Sequence, residues 1–180
     1  MKQIDEKIAL KAFESLDLML SVHKISPFKL IVGGGASIVL AHKYPEATAD
    51  IDGVPTMDFV ELDPFVVQVG KKLSIPADWL NPHYQSYMHR LPKDYGSRLI
   101  NVFNGAVFKV ECLGATDLLI MKLLAGRSKD ERHIRFLLKS RTVELDVVEK
   151  HLEVLIREGE KEAQQALDKF DDLVDEMELK

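Results

Sequence analysis

The run Phe28-Lys29-Leu30-Ile31-Val32 leads straight into Gly33-Gly34-Gly35, and the apolar stretch Ile38-Val39-Leu40-Ala41 follows after Ala36-Ser37. A short aliphatic run that stops on glycines and gives way to a second apolar run reads as a buried strand, a tight turn and a helix, which puts the chain among α/β (α+β) folds. Glycines at such a turn let backbone N–H groups approach an anion closely, and the helix N-terminus adds a favourable dipole. Gly33, Gly34 and Gly35 are therefore candidate phosphate contacts, the alternative being that they only end a strand tightly. Ser37 could donate to the same phosphate or cap the helix.

Thr48-Ala49-Asp50-Ile51-Asp52 comes next. Two carboxylates one residue apart on a strand point to the same side, because side chains alternate with period two. Left bare they repel each other, and a divalent cation removes that repulsion. An all-oxygen pair suits Mg²⁺ (or Mn²⁺), with waters and substrate phosphates as the remaining ligands. An Asp-x-Asp pair on a surface turn is the bland alternative; the glycine unit upstream favours the metal.

A strand, a Gly-Gly turn, a helix and Asp-x-Asp on a second strand together resemble the polymerase-beta-like nucleotidyltransferase superfamily. The segment from Leu113-Gly114-Ala115-Thr116-Asp117 through Lys122 to Arg127-Ser128-Lys129-Asp130 is similar to one in the small bacterial branch that includes abortive-infection-type toxin nucleotidyltransferases. This resemblance implies a small mixed sheet of the minimal nucleotidyltransferase fold, flanked by helices. It implies that Lys122 and Asp130 complete the catalytic set with Asp50 and Asp52, and that Thr48 stands in the nucleotide-binding group or merely satisfies backbone groups. Many enzymes of the superfamily carry a third metal carboxylate on a neighbouring strand. Glu111 is the candidate here, with a solvated sheet face as the equal alternative. The branch pattern expects an acid three positions after Asp130, where this chain has His133. Trp79-Leu80-Asn81 also matches an element of the branch; the indole could stack on a base, but a lone Trp is more often core.

The rest of the pattern supplies the frame. Ile4, Ile8, Phe13, Leu16 and Leu20 fall at roughly helical spacing. Asp63 followed by Pro64 predicts the start of a helix reaching Leu73. Residues 74–94 are the least regular and are expected to shape the substrate. Asn104-Gly105 between alternating apolar runs predicts a two-residue β-hairpin over 98–112. Helices are expected over Thr116–Ala125 and Asp130–Lys139, and two more follow with a break near Gly159. The expected division is a nucleotidyltransferase-like domain over 1–140 and a C-terminal helical extension over 141–180 packed on it.

The single Cys112 excludes an intrachain disulfide and is expected to be a small core residue. The N-terminal residues lack an apolar signal core and no apolar run is long enough to span a bilayer, so a cytoplasmic protein is expected. Residues 144–180 hold thirteen acids and five bases, whereas 115–141 hold three acids and seven bases. That local positive balance suits a polyanionic substrate, or is a solvated helix face. The implied reaction is Mg²⁺-dependent transfer of a nucleoside monophosphate from an NTP to an acceptor hydroxyl on RNA, protein or a small molecule, with pyrophosphate leaving. The alternatives are a catalytically weak nucleotide-binding protein, or an interaction protein that docks a cognate antitoxin or a second copy of itself.

Overall fold

The computed structural model describes residues 3–179; Met1, Lys2 and Lys180, at the ends of the two expected domains, lie outside them. The chain divides into two compact units. One runs up to Met88 and takes in Leu99–Leu113; the other comprises His89–Arg98 and the chain from Gly114 onward. The chain passes between the units at Met88/His89, Arg98/Leu99 and Leu113/Gly114.

The first unit is built on a five-stranded mixed sheet. Its strands are β1 (Phe28–Val32), β2 (Ile51–Pro55), β3 (Leu80–Asn81), β4 (Ile100–Asn104) and β5 (Phe108–Cys112), in the order β3-β2-β1-β5-β4. β1 is antiparallel to β2 and parallel to β5; β2 and β3 are parallel, β4 and β5 antiparallel. The period-two alternation on β1 and β5 buries Leu30, Val32, Val110 and Cys112 in one apolar core with Phe13 of α1 (Glu6–Val22), Leu40 of α2 (Gly34–His42) and Val66 of α3 (Phe59–Leu73). Lys29, Lys109 and Glu111 alternate onto the opposite face, together with Asp52 and Val54 of β2. Phe13 lies within 6.0 Å of Trp79, ring centre to ring centre, and within 5.7 Å of Phe103, a contact that ties α1 to both ends of the sheet order.

Two local expectations are corrected. α3 begins at Phe59, because Asp58 accepts a 2.9 Å bond from the Val60 N–H and is the actual cap; Pro64 sits inside the helix. The bond Pro64 cannot make would go to the carbonyl of Val60, a residue 76% exposed, where water can replace it. The hairpin is present, but its loop is longer than two residues: Asn104 pairs with Lys109, and Gly105 to Val107 form the turn. The Asp17 carboxylate of α1 accepts from the N–H groups of Ala106, Val107 and Phe108 at 2.8, 2.8 and 3.1 Å. A distant carboxylate closes this turn, so the local Asn-Gly preference does not set its type.

The second unit packs α4 (Ala115–Ala125) against α5 (Glu131–Leu138), α6 (Leu145–Arg157) and α7 (Ala163–Glu176). Gly126 and Gly159, at φ +60° and +83°, provide the left-handed residues that end α4 and separate α6 from α7. Asp117 of α4 is fully buried and held by both arms of Arg98, at 2.9 and 2.7 Å; Arg98 also holds Asp94 at 2.7 and 3.0 Å. No helix among the described residues is long and apolar enough to cross a membrane.

Candidate functional site

The glycine turn and the Asp-x-Asp strand meet within the first unit. The Gly33 N–H donates to the Asp52 carbonyl at 3.0 Å, one step beyond the Val32–Gly53 pair. Gly34 opens α2 at φ +59°, and a Cβ there would stand 2.5 Å from Asp52 Oδ2. Glycine is thus required twice at this position, by conformation and by the carboxylate resting against it. A negative group so close to the first turn of a helix is favoured by the dipole. Its neighbours are constrained by contact alone: a Cβ on Gly33 would lie 2.6 Å from the Tyr84 ring and would force a shift, while one on Gly35 would lie a tight 3.2 Å from Thr48 Oγ1. The three glycines admit close approach, and the groups that approach are the protein's own.

Asp50 is fixed from two directions. Thr48 Oγ1 donates to the Asp50 carbonyl at 2.9 Å, while the Thr48 backbone pairs with Ile4 at 2.7 and 2.9 Å. Asn81 Nδ2 donates to Asp50 Oδ2 at 3.2 Å, and Asn81 Oδ1 accepts from the His83 N–H at 3.1 Å. Asn81 is also the register partner of Asp52 across β2 and β3. Asp50 and Asp52 are both half-buried. Among the described residues no three His, Cys, Asp or Glu side chains are grouped to hold a metal ion. Two carboxylates at one end of β2 fit Mg²⁺ or Mn²⁺, ions that take oxygen ligands and complete their shells with water and phosphate.

The other residues singled out from the sequence fall as follows. Ser37 is fully buried, and its hydroxyl donates to the Leu113 carbonyl at 3.2 Å, so it cannot serve a phosphate; neither is it the cap, a place taken by Gly33. The same carbonyl bonds His42 Nε2 at 3.0 Å, and burial lowers the His42 pKa, which the Leu113 contact opposes. Together the two bonds pin α2 to the end of β5. Glu111 shares the sheet face of Asp52 but forms an ion pair with Lys29 at 3.3 Å. Trp79 is fully buried, with Nε1 donating to the Val66 carbonyl at 2.9 Å, so the core reading holds and base stacking does not. Burial pushes the Cys112 thiol up to about 12, as befits a core residue.

In the second unit Lys122 is 5% exposed, contrary to the solvated lysine that its apolar helix would ordinarily carry, and its Nζ lies 2.7 Å from Oδ1 of Asp130, itself 6% exposed. His133, where the branch pattern has an acid, brings Nδ1 to 3.5 Å from the same oxygen. Burial alone would raise the Asp130 pKa, but hydrogen bonds from His133 and Lys122 outweigh it and hold the carboxyl well below the usual range. Burial lowers the Lys122 pKa against the opposing pull of Asp130.

Sequence reasoning missed Tyr84 and the task of Asn81. The Trp79-Leu80-Asn81 motif marked the segment, yet nothing in it says that the amide would reach Asp50, which depends on how β3 registers on β2. Tyr84 left no signal at all.

Among known proteins, the family described as "Nucleotidyltransferase of unknown function (DUF6036)" matches residues 9–178. No curated protein matches the chain. Among solved structures, the crystal structure of an antigenic nucleotidyltransferase-like protein from Paracoccidioides brasiliensis is similar at 17% identity and a TM-score of 0.42, covering 92% of this chain and 94% of that one.

Proposed function

The chain belongs to the nucleotidyltransferase family DUF6036, and we propose that it is a Mg²⁺- or Mn²⁺-dependent enzyme that transfers a nucleoside monophosphate from an NTP to an acceptor hydroxyl. The observation that carries this reading is the Asp52 carboxylate seated against Gly34 at the start of α2, with Asp50 two residues before it. Anion-favouring backbone and cation-binding carboxylates adjoin there, which is what a metal–triphosphate needs.

A divalent cation held by Asp50 and Asp52 would neutralise phosphate charge and polarise the α-phosphorus. The chain's own residues do the positioning. Backbone N–H groups at Gly34 and Gly35 bind the terminal phosphate oxygens, since the Gly33 N–H is taken by the Asp52 carbonyl, and the Tyr84 ring lies against Gly33. Asn81 and Thr48 hold Asp50 from its carboxylate and its carbonyl. The acceptor hydroxyl oxygen attacks the α-phosphorus and releases its proton to solvent, a P–O bond forms, the bond to the β-phosphate breaks and pyrophosphate leaves. The resemblance further implies a catalytic part for Lys122, which Asp130 pairs within the second unit. Placement in the toxin-like branch, a cytoplasmic setting, and an antitoxin or second copy as partner belong to the same proposal.

A second reading, nucleotide binding without turnover, is favoured by His133 in place of an acid and by Glu111 engaged with Lys29. One experiment separates the two. Each α-labelled NTP is incubated with the protein, Mg²⁺ and a cell extract, and the labelled macromolecule is sought. Label transfer that disappears in Asp50→Asn and Asp52→Asn, with circular dichroism unchanged, supports the enzyme. Nucleotide binding without pyrophosphate release supports the second reading, and full transfer by the double Asn variant refutes the site.

A further inference from the structure

Asn81 is 5% exposed, on a two-residue strand at the edge of the sheet, and both ends of its amide are committed. A backbone N–H can only donate and an ionised carboxylate can only accept, so the bonds to His83 N and to Asp50 Oδ2 fix which atom of the amide is which. The side chain cannot turn over without breaking both. Its register with Asp52 places it on that residue's side of the sheet end, and its amide reaches Asp50 from there. A buried amide aimed at the Asp50 carboxylate is an expensive arrangement for packing alone, since an apolar residue would fill the space without needing two partners.

We infer that Asn81 is a positioning residue that holds Asp50 in the orientation in which it binds the divalent cation. The inference rests on the reading of Asp50 and Asp52 as the cation's ligands. The amide supplies no ligand and touches no substrate; it acts through Asp50. Fixing the Asp50 carboxylate beforehand removes the entropy of ordering it when the ion arrives, the general effect of hydrogen-bond partners behind metal ligands. The His83 bond is part of the same device, because it anchors the amide to the 3₁₀ segment His83–Arg90 that carries Tyr84 over Gly33.

The test is Mn²⁺ binding to the full chain, followed by the EPR signal of the free ion and without any turnover assay. Asn81→Ala is expected to raise the Mn²⁺ Kd by about 10- to 100-fold. Thermal stability is followed in parallel; a lowered melting temperature with an unchanged Kd would show a purely structural residue and overturn the inference. Should Asn81→Ala fail to fold, the wild-type protein answers by NMR. The Asn81 side-chain amide signals are expected to shift on addition of Mg²⁺, and to stay in place in Asp50→Asn. Signals indifferent to Mg²⁺ in wild-type protein that binds the ion overturn the inference while leaving the two-aspartate site standing. A wild-type chain that binds no Mn²⁺ removes the site and the inference with it.

Discussion

Replacing Lys122 by Met keeps the bulk of the side chain and removes its charge. Asp130, 6% exposed and 2.7 Å from the lost ammonium, would keep a carboxylate in a place that water hardly reaches. Breaking one side of a buried pair costs about 3–5 kcal/mol, whereas removing both charges can be close to neutral. For a chain of 180 residues, at about 2–4 °C per kcal/mol, Lys122→Met should lower Tm by roughly 6–20 °C. Adding Asp130→Asn should recover most of that loss, with a coupling of about 2 kcal/mol or more in a double-mutant cycle by urea denaturation at pH 7. The pH dependence has a definite sign. Asp130 is held below its unfolded value, so its stabilisation is complete above about pH 4 and fades as the pH falls toward the lower folded value. The double variant also isolates chemistry from folding. It removes both charges without leaving one of them bare and buried, so a kcat lower by about 10²-fold with little change in KM would place the Lys122–Asp130 pair in catalysis. A cost below about 1 kcal/mol for the single variant, or additive effects in the cycle, would refute the buried-pair reasoning. Wild-type turnover in the double variant would leave the pair purely structural.

Three further outcomes follow from the geometry. Gly34→Ala forces a Cβ into a left-handed conformation and against Asp52 Oδ2; it should cost about 1–2 kcal/mol of stability and weaken Mn²⁺ binding, and unaltered binding by EPR would contradict the placement of Asp52. Trp79→Ala should cost about 3–5 kcal/mol by denaturation with no specific loss of nucleotide affinity in the fraction that folds; selective loss of nucleotide binding would reinstate the stacking role. Cys112 should resist alkylation in the native protein and react in urea, as mass spectrometry will show, because a buried thiol pushed up to about 12 presents almost no thiolate.

What the sequence determined by itself is what local pattern can encode. The apolar run at Phe28–Val32, the glycines, the helical stripes of the C-terminal half and the strands on either side of Asn104-Gly105 all became elements near their expected places. The Asp-x-Asp spacing was legible in the sequence, but β2 begins at Ile51, so Asp50 lies just ahead of the strand and period-two alternation does not set its side chain. Tertiary structure decided everything that depends on a partner far away in the chain. Ser37 faces Leu113 because α2 packs on the end of β5. The hairpin loop follows Asp17, 89 residues from Ala106, and the start of α3 follows a cap that competed with the more conspicuous Asp63-Pro64. Lys122 became a buried ion because Asp130, eight residues on, folds back to meet it. Asn81 reached Asp50 through the pairing of β3 with β2. Periodicity fixes which face a side chain takes, but not which group waits there, and hydrogen bonds and ion pairs are decided by the second of these.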